Sequence, residues 1–127
     1  MRATIKAPDA PAAIGPYSQA VQVSQLLFVS GQLPLDPSTG LMVNGDISAQ
    51  TDRVIRNLDA ILTAAGVSFA HVVRTTVFLT DLNDFTAMNE VYGVYFTEPA
   101  PARSTVQVAG LPKGSRVEID LIASLAT

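Results

Sequence analysis

The stretch "RVEIDLIA", residues 116–123, alternates strictly. Val117, Ile119, Leu121 and Ala123 fall on one side, and Glu118, Asp120 and Ile122 on the other. A period of two predicts a β-strand with one face on a core. The second face is neither fully polar nor fully apolar. "HVVRTTVFLT", residues 71–80, repeats the problem: Val73, Val77 and Leu79 form an apolar side, while Arg74, Thr76 and Phe78 are mixed. Leu26 and Phe28 in "LLFVSG" add to that mixed side. A sheet of such strands needs cover on both faces, and this requirement narrows the fold more than any other feature.

Little is available to provide the cover. Ile47, Val54, Ile55, Leu58, Ile61, Leu62 and Ala65 recur at helical spacing, which predicts a long amphipathic helix. Asp46 or Ser48 is placed to cap its start and Gly66 to end it. Gln50, Asp52, Arg53, Arg56 and Asn57 make its expected solvated face. "DLNDFTAMNEVYGVYF", residues 81–96, predicts a second helix, capped by Asp81 or Asn83, with Phe85, Met88, Tyr92, Tyr95 and Phe96 as its stripe. Strands are expected near 103–109 and 116–123. The order is strands, helix, strand, helix, strands, so the fold class is α+β, a mixed sheet with two helices on one face. The expected cover for the other face is another copy of the chain. A large closed barrel is the alternative, for which 127 residues are few.

Composition bounds the chemistry. The length suits one domain, residues 1–127. A net charge of -3 offers no basic footprint for nucleic acid. With no cysteine and one histidine, His71, thiolate nucleophiles, disulfides and multi-His or Cys metal sites drop out. No apolar run approaches the roughly 20 residues that span a bilayer, and no apolar core follows Arg2 and Lys6 as in a signal peptide. The expectation is a soluble cytoplasmic protein.

Two charges stand out in "PARSTVQVAGLPKGSRVEID", residues 101–120, which has the look of two strands joined by a Pro-Lys-Gly-Ser turn. Arg103 shares a strand face with Thr105 and Gln107. It either pairs with an acidic neighbour or presents its planar fork to a carboxylate or phosphate. Glu118 is either solvated or buried; if buried, its pKa rises into the range of general acid–base work. In a simple hairpin Glu118 faces Gln107, leaving Arg103 about four positions, or ~13 Å, away. Either the strands are not neighbours, or a ligand spans the gap, or the two residues come from two chains. Ser30 in "VSGQ" lacks a nucleophile elbow. His71, Asn89, Glu90 and Tyr17, the last following a Gly-Pro turn, all have ordinary structural readings.

Nearly the whole chain resembles the YjgF/RidA family of reactive intermediate deaminases. The matching segments are "APAAIGPYSQAV", "FVSGQLPLDPSTG", "TTVFLTDLNDFTAMNEVY" and "PARSTVQVAGLPKGSRVEIDLIA". The resemblance implies a chorismate-mutase-like sheet with two helices, assembled as a homotrimer with clefts between subunits. It implies hydrolysis of 2-imino and 2-enamino acids, such as 2-aminoacrylate and 2-aminocrotonate, to 2-oxo acids and ammonia. These intermediates are released by pyridoxal-phosphate-dependent dehydratases; the deaminase itself takes no cofactor and no metal. By motif, Arg103 would grip the substrate carboxylate and Glu118 would position or activate water. Tyr17, Ser30, Gly31, Asn89 and Thr105 would line the cleft. Many relatives carry Cys at the Thr105 position, which removes thiol-based regulation here. Rival readings are a trimeric ligand-binding or chaperone-like module without turnover, an aminomuconate-type deaminase, and a ribonuclease, against which the acidic charge and single histidine count.

Overall fold

The computed structural model describes residues 1–126. The strands are β1 (Arg2–Ile5), β2 (Ala20–Val23), β3 (Leu26–Gln32), β4 (Val72–Leu79), β5 (Ala102–Gln107) and β6 (Val117–Ser124); the helices are α1 (Ile47–Ala64) and α2 (Phe85–Tyr95). One six-stranded sheet runs β1-β2-β3-β6-β4-β5. All pairings are antiparallel except β4 with β5, which is parallel. Both helices pack on one face, as the α+β expectation required.

α1 begins and ends where its local chemistry dictates. The Asp46 carboxylate accepts from the Ala49 N–H at 3.0 Å, satisfying one free donor of the first turn. At the other end Gly66 takes φ +81°, and the Gly66 and Val67 N–H groups donate to Thr63 and Leu62, closing a Schellman motif. Val54, Ile55, Leu58, Ile61 and Leu62 are completely buried against Leu27, Ile119 and their neighbours. Two residues expected in solvent are buried instead. Asn57 donates to the carbonyls of Leu33 and Leu35, and Gln50 accepts from the Arg116 N–H. Both amides satisfy backbone groups that strand ladders leave unpaired, which is why burying them is tolerated.

One open alternative is decided and two further expectations are corrected. First, β5 and β6 are not neighbours, because β4 lies between them. The connection 108–116 crosses the end of β4 through a 3₁₀ turn at Pro112–Gly114, held by Val108 donating to the Leu79 carbonyl and Thr80 to that of Arg116. The β-branched, apolar β4 takes the central position, and the polar β5 takes the edge. Second, Val73 does not join Val77 and Leu79. The register slips between Val72 and Arg74, so Val73 bulges outward and is 47% exposed. Buried Thr75 completes the inner row with Val77 and Leu79. Third, α2 starts at Phe85, after a 3₁₀ turn at Leu82–Asp84 in which Asp81 accepts from the Asn83 N–H.

The face of the sheet away from the helices carries Val23, Leu26, Phe28 and Val106, each 38–41% exposed, beside Arg74, Thr76, Glu118 and Asp120. No described residue covers it. Among the described residues no helix is long and apolar enough to cross a membrane.

Leu58 tests the core. Leu58→Ala is expected to lower stability by about 2–5 kcal/mol, read by urea unfolding at a fixed protein concentration. A loss under about 0.5 kcal/mol, the level of an ordinary surface change, would contradict the packing described.

Candidate active site

Glu118 and Gly31 meet through an irregularity in β3. Val29 pairs with Leu121 and Gln32 with Ile119, so β3 spends one extra residue between these pairs. The extra length bulges at Ser30 and Gly31. The Ser30 N–H donates to the Gln19 carbonyl at 3.0 Å, and its hydroxyl donates to the Ser18 carbonyl at 2.6 Å. Ser30 therefore ties the Gly-Pro-Tyr segment to the sheet, which sets Tyr17 beside the bulge. A Cβ on Gly31 would stand 2.2 Å from Glu118 Oε2, so only glycine leaves the carboxylate room there. Tyr17, Gly31 and Glu118 share a cavity of about 680 Å³ with Ile14, Leu33 and Lys113. Burial pushes the Glu118 carboxyl above the usual 4.5, and the negative charge of Asp120 pushes the same way.

Arg103 lies elsewhere. It pairs with Thr75, so it shares the helix-facing side of the sheet with Thr75, Val77 and Leu79. Phe85, Asn89 and Tyr92 fall at i, i+4 and i+7 on α2 and meet it there. Nη1 donates to Asn89 Oδ1 at 2.6 Å, and Cζ stands 4.7 Å from the Tyr92 ring centre and 5.6 Å from that of Phe85. Thr105 follows on the same side; its hydroxyl oxygen is buried without a partner among the described residues.

The expected residues thus form two groups: Tyr17, Ser30, Gly31 and Glu118 in one, Arg103, Asn89 and Thr105 in the other. Glu118 pairs with Phe78 on the open face, whereas Arg103 pairs with Thr75 on the helix face. The two residues are separated by two strand spacings, about 10 Å, and three positions along the strand, about 10 Å more. They do not face one cleft within a single chain. The ordinary ion-pair reading of Arg103 fails too: among the described residues the ion pairs are Arg56–Asp52 and Arg116–Asp84.

Sequence reasoning missed Phe85 and Tyr92 as the bed of Arg103, although their helical spacing with Asn89 carried the signal. The contact of Gly31 with Glu118 had no local signal, since it depends on the β3 bulge. His71 stays structural, its Nδ1 accepting from the Ser68 N–H at 3.2 Å.

Gly31→Ala tests the first group. The new methyl meets the far end of a flexible side chain, so the fold is expected to survive with an unfolding midpoint near that of the parent. The carboxylate is expected to swing toward water, and its titration midpoint, followed by carbon NMR of Glu118, to fall toward 4.5. An unchanged midpoint would contradict the packing of Glu118 against Gly31.

Comparison with known proteins agrees with this architecture. The model of the family described as Endoribonuclease L-PSP matches residues 7–125. Protein DfrA of Myxococcus xanthus is 61% identical over 124 residues, covering 96% of this chain and 95% of that protein. The 2-iminobutanoate/2-iminopropanoate deaminase of Mus musculus is 53% identical over 123 residues, covering 97% and 91%. The crystal structure of RidA from an Antarctic Psychrobacter superposes with a TM-score of 0.92 at 49% identity, covering 96% of this chain and 98% of that one. With a family match over residues 7–125 and its whole fold shared with RidA, the chain belongs to the YjgF/RidA family.

Proposed function

We propose that this protein hydrolyses 2-imino acids and their enamine tautomers, of the 2-iminobutanoate and 2-iminopropanoate type, to 2-oxo acids and ammonia. The carrying observation is the pair of complementary half-sites, an Arg103 bedded on α2 and a Glu118 of raised pKa on the opposite sheet face, neither in an ion pair among the described residues. The name and 53% identity of the mouse relative support the same reaction.

The half-sites are completed when Arg103 of one copy meets Glu118 of another. The uncovered apolar sheet face supports such an assembly, with three copies as the family resemblance implies. In the composite cleft Arg103 holds the substrate carboxylate by charge-assisted bonds. Water held by the Glu118 carboxylate adds to C2 of the imine, and the carboxylate takes a water proton. That proton is returned to nitrogen to give a carbinolamine; its hydroxyl proton then passes to the nitrogen as the C2–N bond breaks, so that ammonia leaves and the C2 oxygen becomes the carbonyl of the 2-oxo acid. Atoms balance as imine plus water giving ketone plus ammonia. Tyr17 and the Ser30–Gly31 bulge wall the Glu118 side, and Asn89 and Thr105 the Arg103 side. The chain acts as one domain, residues 1–127, in the cytoplasm.

The ribonuclease named in the family description suits this chain less well. Its net charge of -3 repels a polyanion, and its histidine serves a turn next to Ser68. Binding of a 2-oxo acid without any turnover would favour the ligand-binding reading instead.

A dehydratase that generates the imine, with trapping of the surviving intermediate, measures the reaction. Arg103→Ala is expected to remove about 1.5–3 kcal/mol of anchoring, or about 10- to 160-fold in kcat/KM, with the fold retained. Arg103→Ala and Glu118→Ala chains, each impaired on its own, are expected on joint refolding to restore parent-like activity in about a quarter of the sites, as random pairing across copies dictates. No recovery would overturn the composite site.

The activity is expected to rise with pH through the Glu118 midpoint, above 4.5, because the base form is required. The charge of Asp120 opposes ionisation of Glu118, so Asp120→Asn is expected to move this acid limb to lower pH. A limb that stays in place or moves up would contradict Glu118 as the base.

A further inference from the structure

Tyr92 is 6% exposed and sits beneath the Arg103 guanidinium, with Cζ 4.7 Å from its ring centre. Its hydroxyl is 2.7 Å from the Thr75 hydroxyl, and Thr75 is fully buried in β4. Thr75 is also the register partner of Arg103 across the β4–β5 pairing. The same pair of residues therefore meets twice: once through the backbone ladder, and once through the Tyr92 ring. β5 is an edge strand, so no further strand limits the swing of its long side chain. One hydrogen bond to Asn89 leaves the guanidinium free to turn about that bond. A ring face under the cation, itself pinned by a buried hydroxyl, removes that freedom.

We propose that Tyr92, pinned by Thr75, is a positioning residue that sets the direction in which Arg103 offers its fork to the substrate carboxylate. This rests on the reading of Arg103 as the carboxylate anchor. Asn89 accordingly holds Arg103 through its carbonyl oxygen, and the remaining guanidinium N–H groups are left for the ligand. The recognised class is a small 2-oxo or 2-imino acid whose carboxylate is taken by an Arg that is already oriented before binding, which spares the ordering cost of a mobile side chain.

The stable product 2-oxobutanoate is the probe, titrated calorimetrically into the intact assembly, with neutral 2-oxobutanamide as the control. Tyr92→Leu is expected to weaken 2-oxobutanoate about tenfold and leave the amide unchanged. Tyr92→Phe keeps the ring and loses its pin, so a smaller loss, about two- to threefold, is expected. Thr75→Val is expected to match Tyr92→Phe, and the double variant to be no weaker than either single one, because both remove the same pin. In turnover the loss is expected in KM more than in kcat. Where Tyr92→Leu folds poorly, the Tyr92→Phe and Thr75→Val cycle decides alone. Parent-like 2-oxobutanoate affinity in the Tyr92 and Thr75 variants, with Arg103→Ala defective, would overturn the positioning role while leaving the anchor intact. Parent-like affinity in Arg103→Ala would overturn both.

Discussion

β4 pairs in parallel with β5 on one side and antiparallel with β6 on the other, and the inner row of Thr75, Val77 and Leu79 is buried beneath the helices. This double pairing fixes which way every other side chain on the neighbouring strands must point. Because the side-chain period of a strand is two, a slip of one residue would exchange the faces. The bulge at Val73 absorbs such a slip near the start of β4, before the stretch that aligns with Arg103 and Glu118. From there on the register is uninterrupted, so Arg103 is delivered to α2 and Glu118 to the open face.

Buried polar groups then complete what the apolar core starts. Asn57 and Gln50 on α1 satisfy the backbone of the loop after β3 and of the entry to β6. Asp84 holds Arg116, at the same entry, through two bonds of 2.7 and 3.3 Å. Such groups add less through their net bond energy than through what their removal would leave unpaired. They anchor the segments flanking Glu118 to the rigid helix layer, which is what a carboxylate of defined position requires.

Much of this was legible in the sequence, and the remainder was not for identifiable reasons. α1 was readable from end to end because capping, periodicity and the Gly66 terminus are local signals. β6 was readable because its alternation is strict. The insertion of β4 between β5 and β6 was not, since a Pro-Lys-Gly-Ser turn looks the same whether it closes a hairpin or carries the chain across an intervening strand. Asn57 and Gln50 were misread as solvated because their partners are backbone carbonyls and amides distant in sequence. Arg103 and Glu118 were noticeable as charges on core-like strands, and the family resemblance gave them roles. Their separation on opposite faces follows from pairing alone, and no local pattern encodes it.

The opposite placement of these two charges has a temporal side. A newly made chain that has folded alone already holds its anchor bedded on aromatic rings and its acid against Gly31, yet the two look away from each other. On the composite-site proposal, chemistry that needs both begins only after encounter with other copies. Its onset would then follow how crowded the chains are, with a steep dependence on their abundance, and folding by itself would not switch it on.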